Sequence, residues 1–279
     1  QYSGYFSFDN KFTNYFLAAN HTSKTNFKEA SFTYKNFPLK FNFNTAECTF
    51  KNNLIEVKNS AFTIADSDLD FAGDITDLIS YILKKKNTID ITGRLKSTYM
   101  KFDELLTLKD TSAGKSLETM PIWINTDLNT NITTFSYDDF IASDIKGQLI
   151  YKNQSLTGKD MSSNSLNGNI AGNFKFYESE KNKLTLLSQL NLNQLNIRDA
   201  FLAFNNFNQD FITAEHIKGI GTAEIQMQAT WKPGFIFEKE KLKVKSHLVI
   251  EKGELIQFKP LESLSDYVSL EDLKTVQFS

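Results

Sequence analysis

The residues of this chain that could do chemistry are few and scattered. His21, His216 and His247 are its only imidazoles, and none has a second His or Cys at metal-ligand spacing. His216 follows Glu215 in AEHIKG, a pair that would suit a metal, but with so few ligands nearby a capped helix end is the expected setting. His247, in KVKSHLVIE, is expected on a strand surface. Asp66, Asp68 and Asp70 alternate in ADSDLDF, so they would share one strand face and could approach a calcium ion. The glycine turn and distal bidentate Glu of an EF-hand loop are missing, which favours a solvated outer face. Gly219-Ile220-Gly221 lacks the third glycine of a dinucleotide fingerprint and precedes a strand, so it reads as a bend or bulge. There is no HExxH, no GxSxG and no Walker lysine loop. The only cysteine, Cys48, lies in the alternating run FNFNTAECTF and fits a buried small hydrophobe. No acid–base or nucleophile pair stands out, so neither an enzyme nor a bound cofactor or metal is expected.

Bulk properties narrow the field further. With 279 residues the chain suits one large β domain or two ordinary ones, and 41% hydrophobic content supports a sizeable core. A net charge of −2 argues against a nucleic-acid partner, which would call for a basic face. The aromatic residues are dominated by 25 Phe, apolar rings with no hydroxyl to satisfy. No apolar run is long enough to cross a bilayer. The chain opens in strand-like alternation (QYSGYFSFD) and stops after TVQFS, so both ends read as cut from a longer protein, any membrane anchor lying outside this piece.

Most of the chain alternates with period two, the pattern of antiparallel strands with one apolar and one polar face. Turns are expected at Lys51-Asn52-Asn53, Lys152-Asn153-Gln154 and Glu251-Lys252-Gly253. Helices are few. Asp74 or Thr76 is expected to cap a segment through Lys86, with Lys84, Lys85 and Lys86 at its C-terminal end. Others are expected at Phe102, Leu105 and Leu106, near Ala200, Phe201 and Phe204, and from Pro260 through Leu264 and Val268, followed by a Ser269/Asp272 capping box. KEKLKVKSH, from Lys239, has the lysine alternation that guards an edge strand against unwanted pairing. A weak internal repeat relates Ala46–Ile75 to Ile145–Phe174, each ending near a glycine, Gly73 and Gly172, with a partial third copy from His247. Repeated strand–turn–strand units point to an elongated, stacked sheet. A single unit over 1–279 is expected, with a possible division near 108–120 into 1–110 and 118–279.

Longer stretches of this kind carry a family resemblance. ITGRLKSTYMKFDELL, from Ile91 to Leu106, joins strand, glycine and strand to a short leucine helix. In Leu190–Thr230, Ile197, Phe201, Phe207, Gln209 and Gly219 hold recurrent positions. In Val249–Phe278 these are Gly253, Leu255, Pro260, Leu261, Leu264, Leu273 and Phe278. The chain resembles the AsmA family of bacterial envelope proteins, in its Bacteroidetes-type branch, over these three stretches. The resemblance implies a mostly β fold: an elongated, curved antiparallel sheet, a repeating β-groove with an apolar concave face and a few short helices. It also implies a periplasmic protein tethered to the inner membrane by a segment absent from this chain, with roles in phospholipid movement and outer-membrane biogenesis. Its partners would be phospholipid acyl chains and envelope proteins.

On alternation alone, a filled sandwich core is the favoured reading; with the resemblance, a groove for acyl chains is. Its lining is expected among Leu39, Phe41, Phe43, Ile89, Ile91, Ile122, Ile124, Ile145, Leu149, Leu190, Leu192, Ile225, Met227, Leu248 and Ile250. Phe and Leu suit such a lining because they demand no hydrogen bond from a sliding chain. On this reading Ile124→Glu or Ile225→Glu should lower bound lipid far more than Thr126→Glu. The main rival is a structural or adaptor β-sandwich with a protein partner. A carbohydrate-binding module ranks below it, because Trp123 and Trp231 both sit in apolar alternation rather than on exposed platforms.

Overall fold

The computed structural model describes residues 22–34, 37–106, 120–180, 183–233, 236–262 and 274–278. They form one 14-stranded sheet. Its first strands are β1 (Thr22–Tyr34), β2 (Phe37–Lys51), β3 (Leu54–Ile64), β4 (Ser67–Thr76) and β5 (Ile89–Lys101). Then come β6 (Ile124–Tyr137), β7 (Phe140–Lys152), β8 (Ser155–Ser165), β9 (Gly168–Glu180) and β10 (Lys183–Asn196). The last are β11 (Ile217–Lys232), β12 (Ile236–Phe237), β13 (Lys243–Ile256) and β14 (Thr275–Phe278). Strands follow one another in sequence order across the sheet, except that β12 pairs with β11 beside β13.

Short polar turns explain this meander. The β2–β3, β3–β4, β6–β7, β7–β8 and β8–β9 hairpins each close through two residues, as the pairs Lys51↔Leu54, Ile64↔Ser67, Tyr137↔Phe140, Lys152↔Ser155 and Ser165↔Gly168 record. Such turns need left-handed backbone, supplied at Asn52 (φ 54), Asp138 (φ 52), Asn153 (φ 51) and Asn167 (φ 61). The turns expected at Asn52 and Asn153 are therefore present. The one expected at Glu251-Lys252-Gly253 is not: β13 runs through it, and Lys252 (φ 52) is a bulge where the β11–β13 register slips opposite Gly219.

The sheet is mixed rather than wholly antiparallel, because β5 and β6 run parallel from Ile89↔Ile124 to Lys101↔Ser136. A parallel neighbour needs a crossover rather than a tight turn. The chain leaves β5 through a short helix, Phe102–Leu106, as expected from Phe102 and its leucines. The remainder of the connection includes residues 107–119, which lie outside the described residues, as does most of the possible division at 108–120. The sheet itself continues unbroken from β5 to β6.

Other helices are short. One spans Leu78–Ile82, and its N-cap is Asp77 in left-handed conformation rather than Asp74 or Thr76, which stay in β4. Asp77 accepts from Lys86 Nζ at 2.6 Å, so one of the three lysines closes this turn. Helix Ile197–Ala203 starts at Asn196, whose side chain accepts from the Asp199 N–H. Pro260 stands in the helix Lys259–Glu262; Leu264, Val268, Ser269, Asp272 and Leu273 lie outside the described residues, as does His21.

The repeat seen in sequence has a structural counterpart. Ala46–Ile75 covers the end of β2 with β3 and most of β4; Ile145–Phe174 covers the latter part of β7, all of β8 and the start of β9. In both copies the glycine lets the next strand come close: a Cβ on Gly73 would strike the Thr92 carbonyl, and one on Gly172 the Gln189 carbonyl.

Candidate functional site

Cross-strand pairs share a face, so register alone traces one face across the sheet. One row runs Cys48, Val57, Gly73, Gly93, Leu128, Leu149, Gly158, Phe174, Ser188, Met227 and Val244. A second runs Ile55, Ile75, Ile91, Thr126, Tyr151, Leu156, Phe176, Leu186 and Ala229. This is the apolar face, and it extends from β2 to β13.

Over β1–β6 the face curls around a cavity of about 660 Å³. Its wall brings Phe27 and Ala30 of β1 together with Leu95 of β5 and Leu128 of β6. Phe41, Phe43, Val57, Phe62, Phe71 and Ile75 line the intervening strands, and Leu78 reaches in from the short helix after β4. Beside the cavity Ala46, Cys48, Ile55 and Val57 pack as a buried cluster. A second cluster, Ile64, Leu69, Met100 and Ile132, has Leu39 of β2 and Ile145 of β7 packed against it. The only polar side chains among the lining residues are Ser31, Ser60 and Thr126, besides the thiol of Cys48. Burial, and secondarily Glu47, pushes the Cys48 thiol up from its ordinary pKa.

Of the side chains expected to line a groove, Phe41, Phe43 and Ile91 line this cavity. Leu39 and Ile145 pack into the second cluster, and Ile89 is buried at the start of β5. Ile124 and Leu149 lie on the same face, half-buried. Leu190, Leu192, Ile225, Met227 and Ile250 continue that face in the second half of the sheet, also half-buried, while Leu248 there is 52% exposed. Ile122 is a correction: β6 begins at Ile124, and Ile122 lies outside it, 73% exposed. Thr126 also needs correcting as a control position, since it lines the cavity itself.

The expected lining left out Ala46, Cys48, Val57 and Phe62, around which bulges reverse the inward parity, although Cys48 is buried as its run suggests. Asn44 is extra between Phe43↔Phe62 and Thr45↔Ala61, and Lys58 is extra between Glu47↔Asn59 and Cys48↔Val57. Inward residues on β2 are thus odd-numbered to Phe43 and even-numbered from Ala46.

The acidic alternation has a structural task. Asp66 sits in the β3–β4 turn, and Asp68 accepts from the N–H groups of Thr98 (3.0 Å) and Tyr99 (2.6 Å) on β5. Some burial would raise the Asp68 pKa, but these donors hold it below the ordinary carboxylate value. There the strand is irregular, Ser97 and Met100 both being buried. His216 lies in a turn before β11, not at a helix end; its Nδ1 accepts from the Thr213 N–H at 3.2 Å and its ring packs edge-on to Phe258. His247 is exposed on β13, as expected. Among the described residues no three His, Cys, Asp or Glu side chains converge as a metal site would require, and no helix is long and apolar enough to cross a membrane.

The opposite face is mostly polar. Thr157, Lys175, Leu187, Gln228 and Lys243 form one of its rows, and Asn173, Gln189, Gln226 and Lys245 another, flanking an open concavity of about 670 Å³. The two faces differ in kind: one offers apolar contact without hydrogen-bonding demands, the other solvated amides and lysines. No family model matches the chain, and no curated protein matches its sequence.

Proposed function

We propose that this chain is a non-enzymatic lipid-binding segment that shelters acyl chains against the apolar face of its sheet. The observation that supports this reading most is the cavity of about 660 Å³, within the usual range for small-molecule sites, lined mainly by Phe, Leu, Ile and Val. Each Å² of apolar surface removed from water there contributes about 25 cal/mol. A lining without strong hydrogen-bonding groups favours a tail over a headgroup, and tolerates tails of different length. The continuation of the same face through Leu190, Ile225 and Met227 suits an elongated ligand.

In the same proposal the chain is an AsmA-type envelope protein of the periplasm, held at the inner membrane by a segment outside this sequence. It passes phospholipid toward the outer membrane and so supports outer-membrane biogenesis. Native mass spectrometry with lipid extraction, on protein purified from bacterial cells, tests the binding step. Co-purifying phospholipid is the expected result. A clean apo mass with no uptake from added phospholipid would overturn it and favour a structural β module.

A further inference from the structure

Because neighbouring strands run in opposite directions, β5 and β6 excepted, the connections between them fall along two opposite margins of the sheet. One margin carries the β2–β3 and β7–β8 turns, the start of β6, and the connections from β4 to β5, β9 to β10 and β11 to β13. The other carries the β3–β4, β6–β7 and β8–β9 turns, the end of β5, and the connections from β10 to β11 and β13 to β14. Their charges are opposite. Among the described residues, strand ends included, the first margin holds ten lysines and four carboxylates, and the second four cations and nine carboxylates. Both tryptophans of the chain, Trp123 and Trp231, stand on the basic margin.

The basic margin is most distinctive around the β4–β5 connection. Lys84, Lys85 and Lys152 are exposed and make no ion pair among the described residues, whereas Lys86 is held by Asp77. Ile82 is 64% exposed just before these lysines, and Ile122 is exposed beside Trp123. The Trp123 and Tyr81 rings meet at 6.2 Å, and Tyr151 Oη donates to the Pro121 carbonyl, so the three segments form one patch. We infer that this patch docks on an anionic lipid bilayer. Its ammonium groups reach the phosphates while Ile82 and Ile122 enter the headgroup boundary, a depth that Trp and Tyr also favour. A nucleic acid would engage the lysines but leave the isoleucines in water. The same surface repels the acidic margin, so the charge asymmetry orients the sheet. That margin exposes Leu202, Phe207 and Phe211 as well, so charge rather than apolar exposure selects the docking side. Leu78, on the β4–β5 connection, lines the cavity, and docking therefore brings that end of the cavity to the bilayer. The docking rests on charge and exposure alone, and it can fail while lipid stays bound.

Flotation of the 279-residue chain with vesicles tests it. The chain should rise with vesicles of mixed phosphatidylcholine and phosphatidylglycerol, stay behind with phosphatidylcholine alone, and be released by high salt. Lys85→Glu with Lys152→Glu should weaken binding roughly tenfold or more. Arg198→Glu with Lys259→Glu makes the same change in net charge on the acidic margin, and should leave binding within about twofold of the parent, beyond the reach of the surface potential. In a Cys48→Ala background, Ile82→Cys carrying an environment-sensitive fluorophore should shift to the blue on the anionic vesicles. Circular dichroism of each variant separates lost docking from lost folding. No flotation on anionic vesicles at low salt overturns the inference, and so does equal weakening by the two charge-reversed pairs. Binding to duplex DNA as strong as to vesicles, with no shift at position 82, overturns it in favour of a general polyanion surface.

Discussion

Gly73 lies directly opposite Gly93, β4 against β5, in the middle of the apolar face. The two strands approach so closely there that a Cβ on Gly73 would meet the carbonyl of Thr92, and one on Gly93 the carbonyl of Ala72. The floor between Phe71 and Ile75 on one strand and Leu95 and Ile91 on the other therefore carries no side chain, and the cavity occupies space that a regular apolar face would fill. Backbone at φ +159 also disfavours any L side chain at Gly73.

Gly73→Ala should consequently cost on the order of 1–3 kcal/mol, the scale of a strained backbone site. Gly158→Ala makes a useful contrast. It meets the ring of Phe174 rather than backbone, and a ring can turn aside, so its effect should stay within about 1 kcal/mol. Urea midpoints of the two variants against the parent check the order. Equal losses would mean that the close approach of β4 and β5 is not what constrains Gly73.

The architecture was largely legible from the alternation, because one polar and one apolar residue per step dictates a sheet with two unlike faces. The candidate groove residues other than Ile122 do fall on one face, from Leu39 to Ile250. Legibility failed at bulges. Nothing in FNFNTAECTF announces that Asn44 is unpaired with β3, yet that residue moves the inward set from Phe43 to Ala46. The parallel β5–β6 pair was equally hidden, since alternation within each strand carries no information on the direction of its neighbour. Asp68 does stand on the outer face that its spacing suggests, but alternation carries no sign that it accepts from backbone N–H groups of β5.

Adjacent residues on β6 offer a controlled test of the groove. Leu128 lines the cavity, whereas Asn129 points to the polar face and is exposed. Leu128→Glu places a carboxylate against any bound tail and should lower lipid carried through purification roughly tenfold or more, by the cost of an unpaired charge in apolar surroundings. Asn129→Glu should leave it unchanged. Lipid phosphorus per mole of protein is the readout, with thermal unfolding to confirm that both variants fold. Equal lipid in the two would remove the groove as the binding surface.

Acid should reveal the Asp68 contact. Its folded pKa is lowered below the ordinary carboxylate value of 3.8, so its contribution is fully present above that pH. It is lost as the pH falls through the lower folded value, where both folded and unfolded forms bind the proton. Asp68→Asn removes the charge but keeps an acceptor, and should cost about 1 kcal/mol at pH 7, a charged hydrogen bond discounted for partial exposure. Denaturant titrations from pH 7 to below pH 3 should show the gap between parent and variant close only below about pH 4. A gap constant over that range would assign the loss to shape rather than charge.

Cys48 is a built-in reporter of occupancy. It is 8% exposed and lines the cavity beside Val57. Its raised pKa leaves less thiolate at pH 8 than a free cysteine has, and thiolate is the reactive form. Alkylation of the folded chain at pH 8 should therefore run well over tenfold slower than that of the chain unfolded in denaturant. Extracting lipid should accelerate it, and adding phospholipid back should slow it again, because a tail in the cavity blocks the approach to the sulfur. The rate is followed by intact mass over time in lipid-loaded and extracted samples. A rate that is slow in both and indifferent to phospholipid would place any bound tail elsewhere on the sheet, on the half-buried stretch from Leu190 to Met227 rather than between β1 and β6.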